Sequence, residues 1–274
     1  MGEILVGTCA WTDHENFYPE GLPPARRISY YAQHFPLVEV DSTFYHMPAE
    51  RNFALWVERT PPAFRFDVKA YRAMTKHERR EERGADLPLD QVFERFVSAL
   101  RPVRESGRLR AVLLQFPPWF VCREAHFDYL LYCRRMLDGL TAAVEFRHRS
   151  WFREENRART LRFLEAHGFV HMIADEPQVG DGCVPLVPAV THPDLAIVRL
   201  HGRNAETWYL KGGTSGERFR YRYSPQELEE WARTAERLAS QAREVHVLFN
   251  NNYGDYAVTN ARELKALLLG DGGV

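Results

Sequence analysis

The sequence predicts a (β/α)₈ TIM barrel in a single domain, on three observations. Apolar, β-branched runs alternate with helical stripes along the whole chain. About eight such units in 274 residues match the size of a closed barrel. No shift in composition marks a linker, so 1–274 reads as one unit. A doubly wound open sheet is the alternative reading of the same alternation.

The strands are expected at Ile4–Thr8, Leu37–Asp41, Phe64–Lys69, Ala111–Phe116, Ala142–Phe146, Phe169–Ala174, Ala196–Leu200 and Val245–Phe249. Helices fill the gaps. Ser29–His34 follows the first strand, and Glu50–Arg59 stops at Pro61-Pro62. Asp90–Glu105 carries Val92, Phe93, Phe96, Val97 and Leu100 as a stripe. His126–Leu137 and Glu155–His167 follow, the second closed by Gly168. Ser224–Arg243 opens on an N-cap serine, a proline and a capping-box Glu227, and Tyr256–Leu269 ends at Gly270. The stretch Glu176–Asp194 is rich in Pro, Gly and Val and reads as a loop replacing a helix. Long polar loops, Arg72–Leu89 and Gly202–Tyr223, follow strands three and seven, on the face where barrels carry function.

Composition narrows the class. With 45% hydrophobic and 27% charged residues the chain is globular, and no apolar run reaches the roughly 18–20 residues of a membrane span. The N-terminus lacks a signal-peptide pattern and reads as a first strand. Cys9, Cys122, Cys133 and Cys183 show no CxxC spacing and suggest reduced thiols, hence a cytoplasmic protein. A net charge of −1 gives no general attraction to nucleic acid or membrane, so any anion binding must come from local clustering.

Strand alternation then locates the chemistry, because the apolar parity should face the helices. It turns inward Glu39 and Asp41, Arg65, Asp67 and Lys69, Gln115, Glu145 and Arg147, His171 and Asp175, Arg199 and His201, and His246 and Asn250. Strand one is ambiguous between Thr8 and Cys9. Low in the barrel such groups fill space as paired charges, for instance Glu39 or Asp67 with Arg65 or Arg199. At the strand ends stand Lys69, Gln115, Glu145, Arg147, Asp175, His201 and Asn250, at the height of barrel active sites.

Quoted in order, GTCAWTDHENFYP, YYAQHFPLVEVDSTFYHMP, FRFDVKAYRAMTKH, LLQFPPWF, AVEFRHRSWF, VRLHGR and LFNNNYGDYAVTNA resemble the YecE-like family, domain of unknown function 72, from about Gly7 to Ala266. The resemblance implies a (β/α)₈ barrel, distantly similar to the endonuclease IV and xylose isomerase group, and brings no settled activity. The family usually has Gly-Thr-Ser-Gly-Trp where this chain has Cys9-Ala10 before Trp11, and Pro after FRH where it has Arg149.

Basic residues outnumber acidic ones on the expected mouth: Lys69, Arg72, Lys76 and His77, then Arg147, His148 and Arg149, then Arg199, His201, Arg203 and Lys211. Such clusters favour phosphate or carboxylate ligands. Trp11, Phe44, Tyr45, Trp119, Trp151, Trp208 and Tyr209 interleave with them, as stacking surfaces or as loop packing. A divalent metal would have to take Glu145, Asp175 and His201, among cations that repel it; there is no HExxH, and no metal or other cofactor is expected. Gly212-Gly213-Thr214-Ser215-Gly216 lacks a following lysine and reads as a flexible loop, not a phosphate loop. No GxSxG is present, and Cys9 is the remaining nucleophile candidate.

The expectation is an enzyme, of hydrolase, lyase or isomerase type, acting on an anionic small molecule or nucleotide. Glu145 would be general acid or base with His201 or Lys69 opposite, Lys69 alternatively forming a Schiff base. Arg147, Arg199 and Arg203 would clamp the anion, with Asn250, Gln115, Tyr45, Trp151 and Trp11 around the ligand. The alternative is a nucleic-acid-binding protein or nuclease using the same mouth. The oligomeric state is left open.

Overall fold

A computed structural model describes residues 1–78, 87–210 and 215–270 of the chain. Eight parallel strands close in sequence order. They are β1 (Glu3–Cys9), β2 (Leu37–Val40), β3 (Arg65–Lys69), β4 (Leu109–Gln115), β5 (Ala142–Glu145), β6 (Phe169–Asp175), β7 (Leu195–Leu200) and β8 (Glu244–Phe249). Each overlaps a predicted run, and the ring closes through β1 against β8, which removes the open-sheet alternative.

The helices are α1 (Pro24–His34), α2 (Glu50–Glu58), α3 (Leu89–Ala99), α4 (Arg101–Glu105), α5 (Glu124–Met136), α6 (Glu154–Ala166), α7 (Ser215–Arg218), α8 (Pro225–Ala239) and α9 (Tyr256–Leu269). The stripe read as one helix over 90–105 is two, α4 restarting after Leu100 with Pro102 in its first turn, where a missing N–H costs nothing. Ser224 caps α8, its side chain accepting from the Glu227 N–H while Glu227 reaches back to the Ser224 N–H. Gly168 ends the turn after α6 at φ 65°. As expected, 176–194 forms no helix. The loop after β3 contains one 3₁₀ turn, Arg72–Thr75, and the loop after β7 contains α7. Residues 79–86 of the polar loop after β3, and Lys211 and 212–214 of the glycine loop, lie outside the described residues.

Register fixes which side chains enter the barrel. Cys9 pairs with Glu39, Glu39 with Asp67, Gln115 with Glu145, and Ala174 with Arg199, so these share the inward parity. Cys9, not Thr8, therefore points in. Thr8 points to the helix layer and bonds the Tyr31 hydroxyl at 2.9 Å. Strand six corrects the sequence reading: Val170 and Met172 fill the interior, while His171 and Asp175 face outward. His171 Nε2 meets the Val187 carbonyl at 3.0 Å, in the connection that packs where a helix would stand.

The interior has three levels. A middle belt of Leu5, Leu37, Leu113, Met172, Ile197, Leu248 and neighbours is apolar. Below it, His246 lies between Asp67 (2.7 Å) and Glu244 (2.8 Å), and Arg110 also bonds Glu244. The two carboxylates outweigh burial and raise the His246 pKa to about 9, so it is a cation at neutral pH. Above the belt, at the C-terminal ends, lies the second polar level.

Candidate active site

The upper level is built on Arg199 of β7. Its Nε and Nη2 grip the Glu39 carboxylate at 2.8 and 2.7 Å. Nη1 reaches Glu145 at 2.6 Å and the Gln115 amide oxygen at 3.1 Å, and Nη2 also meets the Cys9 sulfur at 3.6 Å. Five N–H groups thus have five acceptors, and the side chain is 2% exposed. Arg199 therefore carries no spare donor for a ligand, and the expected clamp loses this member. The Cys9 thiol donates to Glu39 at 3.1 Å, and burial followed by the Glu39 charge pushes its pKa well up, away from nucleophilic use.

One step further out is Arg147. Its Nε pairs with Glu145 Oε1, Nη1 with Glu176 at 2.6 Å, and Nη2 with the His201 ring at 3.1 Å. Burial alone would raise the Glu145 pKa, but Arg147 and Arg199, helped by His201, hold it well below the carboxylate range. His201 is fully buried, bonded to Asn250 at 2.8 Å; desolvation and then Arg147 lower its pKa, so the imidazole is neutral. Glu176 was missed in the sequence because strand six was read one residue out of phase. Burial raises it to about 7 despite Arg147 and the Val184 N–H at 2.6 Å.

Two charged groups in this mouth differ from the rest. Among the described residues, neither the Lys69 ammonium nor the Asp41 carboxylate has a hydrogen-bond or ion-pair partner, although both residues are half-buried. Lys69 Nζ lies 4.5 Å from the centre of the Phe44 ring. Desolvation and then the fixed charge of Arg199 lower its pKa, against Glu39, Asp41 and Glu145. Burial raises Asp41 to about 6, with Lys69 opposing. The sequence reading turns Asp41 inward at the end of strand two but does not count it among the residues of the mouth.

The rim completes the site. His77 packs edge-on to Phe44 at 4.8 Å and bonds Thr75 at 2.9 Å; burial, then Lys69 and Arg147, lower it to about 3. Tyr45 is 55% exposed beside Phe44; burial, and then the charges of Asp41 and Asp13, raise its pKa. Trp208 is buried beside His201, with Arg147 5.7 Å and Arg218 4.6 Å from its ring centre, and its indole N–H has no partner among the described residues. Arg218 of α7 has no ion pair among the described residues. The irregular 202–223 segment offered no periodicity that would single it out.

Other predicted residues go elsewhere. Asp175 accepts from Tyr223 at 2.7 Å and from Arg203 Nε at 3.0 Å, and Arg203 also holds Glu227 at 2.9 Å; this pair ties the β6 and β7 ends to α8. Arg203 is thus absent from the Arg147 cluster, and the metal trio Glu145, Asp175 and His201 is not assembled. Among the described residues, no three His, Cys, Asp or Glu side chains are grouped as a metal would need. Trp151 is buried, stacked on Phe146 at 4.0 Å, and Trp11 packs edge-on to Trp56 at 5.1 Å. Both belong to the core. Arg149 pairs with Asp181 at 3.5 Å on the surface.

These features define a closed (β/α)₈ barrel with a polar, partly ordered-by-charge mouth at the C-terminal ends of its strands. The chain belongs to the family described as "Protein of unknown function DUF72", whose model matches residues 5–272. The UPF0759 protein YunF of Bacillus subtilis is 40% identical over 271 residues, covering 97% of this chain and 94% of that protein. A DUF72 family protein of Enterococcus faecalis V583 superposes with a TM-score of 0.88 at 31% identity, covering 98% and 97% of the two chains. Another, from Thermotoga maritima MSB8, gives 0.83 at 34% identity, covering 98% and 100%. No described helix is long and apolar enough to cross a membrane.

Proposed function

We propose that this chain is an enzyme that moves protons on a small anionic molecule held in the C-terminal mouth, with Lys69 and Asp41 as the exchanging pair. One observation carries the reading: in a mouth where Glu39, Glu145, Glu176, Arg147 and Arg199 are all paired, these two groups have no partner among the described residues and are partly desolvated. Leaving charges so costs stability, and groups with shifted pKa values in a cleft are the usual acids and bases of enzymes. Glu145, expected as acid or base, is given another role: bonded to Arg147, Arg199 and His201, it fixes the cations in place. The anion contacts are the second N–H of Arg147 Nη1 and of Nη2, and the Arg218 guanidinium on Trp208, which has no ion pair among the described residues. The nucleic-acid alternative has less support from the same mouth, since Arg199 and Arg203 are tied to carboxylates and Trp11 and Trp151 lie in the core.

Calorimetric titration with phosphorylated, carboxylated and neutral small molecules tests this. Anionic compounds should bind preferentially, and Arg218→Ala should weaken them about tenfold, the loss of one charge-assisted hydrogen bond. With a compound that turns over, Asp41→Asn should lower kcat by about 10² or more while affinity changes little. Equal binding of neutral compounds, unaffected by Arg218→Ala, would contradict the proposal.

A further inference from the structure

Lysine is rare in this chain. Of 36 basic residues four are lysines, Lys69, Lys76, Lys211 and Lys265, and the rest are arginines. Lys265 donates to the His34 carbonyl at 3.0 Å on the opposite face of the barrel, and Lys76 lies 3.7 Å over the Tyr129 ring outside the barrel interior. Among the described residues Lys69 is the one lysine on a strand, at the end of β3, in a mouth whose other fixed cations are guanidinium groups. A guanidinium keeps its proton at any physiological pH, whereas a desolvated amine beside a fixed cation gives it up and becomes a nucleophile.

From this placement we infer that the substrate carries an aldehyde or ketone carbonyl beside its anionic group, and that Lys69 captures it as a Schiff base while Asp41 supplies and regains the proton. The inference rests on the proton-transfer reading above and names its substrate class. The chemistry closes on groups present in the mouth. The uncharged Lys69 amine forms a bond to the carbonyl carbon, and the carbonyl electron pair moves to oxygen. A proton passes from nitrogen to that oxygen, giving a neutral carbinolamine. The protonated Asp41 then gives its proton to the hydroxyl, the C–O bond breaks, and water leaves. The products are a protonated imine on Lys69, an Asp41 carboxylate that balances its charge, and one water. No oxidant or further reactant enters. An Asp41 pKa near 6 keeps part of the acid form available at neutral pH, and desolvation together with the Arg199 charge shifts Lys69 towards the free amine. The Phe44 ring at 4.5 Å shields the nitrogen on one side from water, which slows hydrolysis of the imine.

The test is reductive trapping of the full chain with sodium cyanoborohydride and glyoxylate, pyruvate or glyceraldehyde 3-phosphate, each in large excess, read by intact mass and peptide mapping. A single reduced adduct on Lys69 with at least one of the three is expected, lost in Lys69→Arg and reduced at least several-fold in Asp41→Asn. Mapping the adduct in the unaltered protein makes the result independent of whether either variant folds. No adduct with any of the three, or adducts on Lys76, Lys211 or Lys265 without Lys69, would overturn the inference. If trapping fails while Arg218→Ala still weakens anion binding, the Schiff base is lost and the anion-binding, proton-transfer reading stands.

Discussion

At the scale of single residues, Ala10 shows how this chain departs from its family. It follows β1 with φ 63°, its N–H bonded to the Glu39 carbonyl at 2.9 Å and its own carbonyl to Thr8 at 2.7 Å. A left-handed alanine costs about 1 kcal/mol, and glycine, which the family pattern has there, does not incur it. Ala10→Gly should therefore stabilise the fold by about 0.5–1 kcal/mol in urea unfolding, against the loss of similar size that this exchange brings at ordinary φ. A destabilised variant would contradict the strain. Residues were legible in the sequence where neighbours on both parities disagreed. Glu39, Lys69, Gln115, Glu145 and Arg147 stand beside apolar Val38, Val68, Leu114, Val144 and Phe146, and all five point inward as read. In β6 that contrast fails. Phe169 and Ile173 on one parity are as apolar as Val170 and Met172 on the other, so the two polar residues decided it wrongly. His171 is tolerated outward because the helix-free connection brings it the Val187 carbonyl and gives its N–H the Thr191 hydroxyl at 2.8 Å.

At the scale of elements, all eight strands were visible because each is a compact apolar run bounded by turn residues, whereas loop 202–223 hid Arg218. The floor of the barrel joins β3, β4 and β8 through Asp67, Arg110, Glu244 and His246. His246 is raised to about 9 from an unfolded value near 6.5. Its contribution to stability is therefore complete below about pH 6.5 and lost as pH rises through about 9. Glu176, raised to about 7, acts in the same direction mainly at lower pH, so the interval from about pH 7 to 9 isolates the floor. The Tm difference between the unaltered protein and His246→Gln should narrow across that interval in a thermal-unfolding series. A difference that stays constant or widens would show that the imidazole is not held as a cation between Asp67 and Glu244.

At the scale of the whole molecule, the barrel separates two polar levels with an apolar belt, and the two levels differ in kind. The floor is closed: each of its carboxylates is bonded to a cation. The mouth is paired only up to Arg147, and above Glu39 and Arg199 neither Lys69 nor Asp41 has a partner among the described residues. That asymmetry is the central claim, and it supports the proposed site at the C-terminal ends of the strands, where barrels generally carry theirs. The most direct measurement is an NMR titration of the four lysines after reductive ¹³C-methylation, with Lys69→Arg assigning the resonance. The account predicts that Lys69 titrates below the ordinary 10.5, and lower still in Asp41→Asn, where a carboxylate that favours the ammonium is removed. A Lys69 titrating at or above 10.5 and indifferent to Asp41 would contradict it.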